Sequence, residues 1–141
     1  MLYPVPFEAE HFSGLELQIA QAYISTTGAS LGRLEGPLSA TLMEDGRPLL
    51  CCGAVELWPE RAYLWAALGT GVSVKNFLPV FAWAKKWTDN LPFNRLEASV
   101  DCDFVNGHRL VRALGFECEA QRMRAYVPGY DHALYARVKG G

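Results

Sequence analysis

Cysteine is scarce in this chain, and none of it is spaced as C-x-x-C. Cys51, Cys52, Cys102 and Cys118 are the four, a pattern that argues against a zinc site and against a disulfide framework. Charge is scarce as well: 20% of residues carry it, 13 basic against 15 acidic, for a net charge of −2. A duplex-binding protein draws most of its affinity from phosphate contacts and shows a basic excess, so nucleic acid is disfavoured as a partner. Long apolar runs are missing. The longest weakly polar stretch, residues 63–74, is broken by Gly69, Thr70, Gly71 and Ser73 and is too short to span a bilayer. Residues 1–12 lack the basic and apolar regions of a secretory signal. These absences predict a soluble, cytoplasmic chain with reduced thiols and no membrane partner. There is no internal repeat, low-complexity tract or linker, so residues 1–141 read as one domain.

What is present is a core. Half of the 141 residues are hydrophobic and 12% are aromatic, which excludes a disordered chain, a coiled coil or a collagen-like repeat. The charge is uneven. Residues 1–103 hold seven basic and twelve acidic groups, and residues 104–141 hold six basic and three acidic. A locally positive C-terminal third suits a small anionic ligand.

Periodicity and punctuation divide the chain. Phe12, Leu15, Ile19, Ala22 and Tyr23 recur at helical spacing, predicting a helix over residues 13–25, followed by a glycine-rich loop to residue 37. Residues 38–43 and 48–57 read as strands joined at Asp45-Gly46, a strong hairpin signal. Residues 61–68 read as a strand apolar enough to be buried on both faces. A helix starts between Asn76 and Pro79 and ends before Pro92. Residues 95–101 alternate as a strand. A short helix runs to Leu114, with Gly115 as its left-handed stop. Residues 116–127 and 130–138 form a hairpin through Pro128-Gly129. The helix between strands 61–68 and 95–101 makes those strands parallel. The fold class is α/β: a mixed, mostly antiparallel sheet with one parallel, splayed pair and helices on both faces.

This element order, closing on Leu110, Gly115 and Phe116, resembles the GNAT superfamily of N-acetyltransferases, including GNAT-like proteins carried by some phages. Relatives commonly read N-x-x-A-x-x-L-Y-x-x-x-G-F over the stretch that begins here at Phe104. Leu110, Gly115 and Phe116 match. The Tyr that often protonates the departing thiolate falls on Val111, and the Asn falls on Phe104, two residues before Asn106. The family's Q/R-x-x-G-x-G/A pyrophosphate loop has no counterpart in residues 69–75.

The resemblance implies acetyl-CoA as co-substrate. It also implies an amine acceptor, small-molecule or peptide, that attacks the thioester directly. A backbone N–H near Ala66, Ala67 or Leu68 would polarise the carbonyl. Gly69, Thr70, Gly71, Val72, Ser73 and Lys75, with Asn106, are the candidates for contacting the cofactor, because backbone donors need no fixed side chains. A base must sit at the C-terminal ends of the parallel strands, which selects Asp101 and His132, with Tyr130 as the alternative thiolate donor. Glu56 lies at the wrong end, and Glu97, early in its strand, reads as a solvated or ion-paired side chain. Asp103 reads as a helix cap, His108 as exposed, Cys51 as able to line the pocket, and Trp65, Trp83 and Trp87 as core. Val111 and the unorthodox loop keep an alternative open: a catalytically inactive GNAT fold retained for binding or structure. A homodimer is also left open.

Overall fold

The computed structural model describes residues 1–15 and 36–139. Seven strands form one sheet: β1 (Leu2–Val5), β2 (Ser39–Glu44), β3 (Arg47–Trp58), β4 (Arg61–Leu68), β5 (Arg95–Asp101), β6 (Glu117–Val127) and β7 (Tyr130–Val138). Their spatial order is β1-β2-β3-β4-β5-β7-β6. All neighbours run antiparallel except β4 and β5, which are parallel as the crossover requires. Helices α1 (Phe77–Asp89) and α2 (Val105–Ala113) follow β4 and β5, and a 3₁₀ helix spans Ala9–Gly14.

Local chemistry explains the joints. Asp45 and Gly46 both take positive φ, 50° and 81°, as the β2–β3 hairpin turn demands. Pro128 precedes Gly129 at φ 85°, the residue pair of a type II turn between β6 and β7. Helix α2 ends in a Schellman motif. Gly115 sits at φ 90°, its N–H bonds the Arg112 carbonyl, and the Phe116 N–H bonds the Val111 carbonyl. Arg137 adds a cation there, donating to the Leu114 carbonyl at 2.9 Å.

Strand alternation sorts the core into two layers. On one face Leu42, Leu50, Leu96 and Tyr135 pack beneath Val80 and Ala84 of α1 and Val111 and Leu114 near α2. On the other face Phe7, Phe12 and Leu15 cover Cys51 and Ala67, with Trp65 beside them. Cys51 and Cys52 therefore face opposite sides. Gly53 is required by Trp65, because a Cβ there would meet the indole Nε1 at 2.5 Å.

Three expectations change. Strand β1 was not anticipated; Pro4 within it is tolerated because β1 is an edge strand. The helix expected over residues 13–25 is 3₁₀ as far as Gly14, and Leu15 is extended; its remainder lies outside the described residues. Strand β4 is not buried on both faces, since Ala66 is exposed and Leu64 half-buried where the strand parts from β5. Among the described residues no helix is long and apolar enough to cross a membrane.

Candidate active site

The site originates in the register of the parallel pair. Arg61 pairs with Arg95, Ala62 with Leu96 and Tyr63 with Glu97, and there the ladder ends. Both strands continue, to Leu68 and Asp101, but they diverge. Below the opening Glu97 is clamped by Arg61 and by Arg95, the latter at 2.8 Å. The Arg61 contact first, then Arg95, holds the Glu97 carboxyl below the usual carboxylate range. Of the two readings the sequence allows for Glu97, solvated or ion-paired, the structure shows the second.

A cavity of about 110 Å³ fills the opening and continues beneath α1 and α2. Ala66, Ser99, Asp101 and His132 line it where the strands part; Trp83 and Trp87, both half-buried, and Val111 and Leu114 line it beneath the helices. Cys52, not Cys51, faces it, because Cys51 points to the opposite layer under Thr41. Burial pushes the Cys52 thiol far up, so it is no nucleophile.

Asp101 and His132 are register partners across β5 and β7, and both are buried, at 8% and 6% exposure. Asp101 Oδ1 accepts the Asp103 N–H at 2.9 Å and organises the turn into α2. Asp103 makes no side-chain cap; the turn depends on Asp101 instead. His132 Nδ1 lies 3.3 Å from Ser99 Oγ, and Ser99 Oγ lies 2.6 Å from the Tyr63 hydroxyl. Burial lowers the His132 pKa, with Asp101 and then Asp131 opposing it, so the imidazole is neutral at neutral pH. Burial likewise raises the Tyr63 hydroxyl. A bulge in β6 places Ala125 at φ 49°, where its N–H bonds Asp131, and brings the Tyr126 ring to 5.2 Å from His132.

Tyr63, Ser99 and Tyr126 escaped the sequence reading. Alternation places each on a face, but only the β4–β5–β7 register puts Tyr63 and Ser99 in one row. Tyr130 lies two residues before His132 on the same face, beside the hairpin turn, and lines neither cavity described here. His108 is not exposed. Its Nε2–H donates to the Cys102 carbonyl at 3.1 Å, so Nδ1 accepts the Tyr135 hydroxyl at 2.8 Å and pins α2 to the sheet.

A second groove, about 480 Å³, adjoins the first at Leu68 and Leu110. Val72 and Ser73 from the β4–α1 loop form one wall, and Asn106 and Arg109 from α2 form the other. Several loop donors are already committed. Gly69 N–H bonds the Leu49 carbonyl, Val72 N–H bonds the Gly69 carbonyl, and Ser73 N–H bonds Asn76 Oδ1. Gly71 is small because Leu49 lies beneath it, 2.7 Å from where a Cβ would sit. Thr70 and Lys75 are exposed beside the groove without lining it, and Ala67 is buried on the opposite layer. Helix α1 offers the N–H groups of Phe77 and Leu78; Pro79 has none, and Val80 N–H bonds the Asn76 carbonyl. Arg109 is the cation the sequence reading missed. Its only signal was the basic excess of the C-terminal third.

No protein-family model and no curated protein sequence matches the chain. Solved structures do. A GNAT-family acetyltransferase from Bacillus anthracis superposes with a TM-score of 0.70 at 11% identity, covering 97% of this chain and 94% of that one. The ribosomal-protein-S5-alanine acetyltransferase from Vibrio fischeri gives 0.64 at 10% identity, covering 99% and 93%. RimL, a ribosomal L7/L12 α-N-protein acetyltransferase solved with coenzyme A, gives 0.56 at 16% identity, covering 71% and 60%.

Proposed function

We propose that this chain, whose fold is that of the GNAT acetyltransferases, is an acyl-CoA-dependent N-acyltransferase that moves an acetyl-type group onto an amine. The observation that carries the reading is the parting of β4 from β5 beyond Tyr63, which opens a cavity lined there by neutral His132. A GNAT-fold neighbour solved with coenzyme A supports the co-substrate. The groove fits one: apolar walls suit a pantetheine arm, and Arg109, Ser73 and the first turn of α1 suit phosphate oxygens. The thioester supplies an activated carbonyl.

The remaining chemistry belongs to the chain. A backbone N–H of β4 near Ala66, Ala67 or Leu68 would polarise the carbonyl oxygen. His132 takes the proton from the attacking amine. In the tautomer that donates Nδ1–H to Ser99 Oγ, Nε2 carries the accepting lone pair, and Tyr63 fixes Ser99. Asp101 stabilises the imidazolium that forms. Tyr130 lines neither the cavity nor the groove, so the departing thiolate takes its proton from water. Val111 lies inside the apolar cavity and carries no donor.

The test is acetyl-CoA-dependent thiol release across a panel of amines and N-terminal peptides. Turnover is expected, with His132→Asn lowering kcat by about 10²–10⁴-fold while CoA affinity stays within about twofold. CoA binding without turnover on any amine would favour the alternative, a GNAT fold kept for binding.

A further inference from the structure

The cavity does not stop where a thioester carbonyl would sit. From Ala66 and Asp101 it continues under both helices, between Ala98 of β5 and a wall of Trp83, Ala84, Trp87, Val111 and Leu114. Trp83 and Trp87 stack on each other, their ring centroids 5.9 Å apart, and make that wall stiff. The interior has almost nothing polar to offer. The Thr88 hydroxyl is spent on the Lys85 carbonyl, and Cys52 is a neutral buried thiol. A buried water needs two to four polar partners, so this end is suited to hydrocarbon.

Resting on the acyltransferase reading above, we infer that the inner cavity is an acyl pocket, and that the group transferred is a straight chain of about four to six carbons rather than acetyl. The size follows from the volume. About 110 Å³ is available to the thioester carbonyl and its acyl chain together, and an apolar protein cavity of about 150 Å³ accepts a benzene ring. Continuity supports the same occupant: the polar end at Ser99, Asp101 and His132 and the apolar end beneath the helices are one space, so a chain attached to the reacting carbonyl crosses no polar barrier. In the reaction the amine nitrogen bonds the carbonyl carbon and the C–S bond breaks. Its electron pair leaves on sulfur, and the proton lost by nitrogen goes to His132. None of these steps depends on chain length, so length is selected by the pocket alone.

The test is a calorimetric series on the wild-type chain with free CoA and with acetyl-, butyryl-, hexanoyl- and decanoyl-CoA, paired with kcat/KM for each thioester. Affinity should rise by about fourfold per added methylene from acetyl to hexanoyl, the gain for burying a CH₂. It should fall again at decanoyl, when the pocket is full. Ala84→Leu, which fills the interior, should move the optimum toward acetyl while leaving free CoA affinity unchanged. Acetyl-CoA binding as tightly as hexanoyl-CoA, with CoA itself bound, would overturn the pocket and leave the acetyltransferase reading standing. Failure of every thioester and of CoA to bind would remove that reading, and the pocket with it.

Discussion

His132 and Asp101 show how two side chains at one register position divide the work. Asp101 has a structural duty, accepting the Asp103 N–H at the entrance to α2, and an electrostatic one, opposing the burial that lowers the His132 pKa. Asn can perform the first duty and not the second. Asp101→Asn should therefore fold normally and shift the acid limb of the pH–rate profile. The limb reports protonation of the base, and burial already places it below an ordinary histidine. Without the Asp101 charge the imidazolium loses its stabilising neighbour, so the limb should move to still lower pH and kcat should fall. A limb that stays in place would show that His132 is not the titrating base. Both residues could be named from the sequence, because strand ends are readable there. Tyr63 and Ser99 could not, because their 2.6 Å contact depends on a register between strands thirty-six positions apart.

At the scale of elements, the division between pairing and splay rests on Glu97. It sits at the last register pair of β4 and β5 and is held by one arginine from each strand. Arg95 extends the clamp to Glu119 of β6, at 2.6 Å. Glu97→Gln should cost about 2 kcal/mol, within the range for hydrogen bonds to charged groups, because Arg61 would keep its charge and lose its carboxylate while Arg95 would keep only Glu119. The pH sign follows from the lowered Glu97 pKa. The wild-type clamp is complete above the ordinary carboxylate range and is lost as pH falls through the lower folded-state value. Denaturant melts from neutral pH into acid should show the wild-type advantage over Glu97→Gln shrinking, and an advantage that grows in acid would contradict the clamp. Most elements were legible within a residue or two, since alternation, Asp-Gly, Pro-Gly and Leu-Gly-Phe are strong local signals. Strand β1 was not, because Pro4 reads as a breaker unless the strand is known to lie on an edge. The committed loop donors were not either: which N–H groups of residues 69–75 bond Leu49, Gly69 and Asn76 is a matter of three-dimensional packing.

Over the whole molecule, the near-neutral net charge conceals a functional asymmetry. The basic C-terminal third supplies Arg109, which faces Ser73 and Val72 across the groove that leads into the splay. Helices α1 and α2 lie on that side of the sheet, and the Tyr63–Ser99–His132 row lies on the other. A CoA thioester entering between the helices would present its carbonyl through the parted strands to an amine arriving from the opposite face. This two-sided arrangement stands or falls on the groove, and calorimetric titration with free CoA probes it most directly. One-to-one saturable binding is expected. Desulfo-CoA should bind comparably because the phosphates carry the contact, and Arg109→Ala should weaken binding about tenfold, the loss of a charged hydrogen bond. Absence of both heat and any rise in melting temperature at millimolar CoA would contradict it, since a ligand that binds only the folded state must stabilise it.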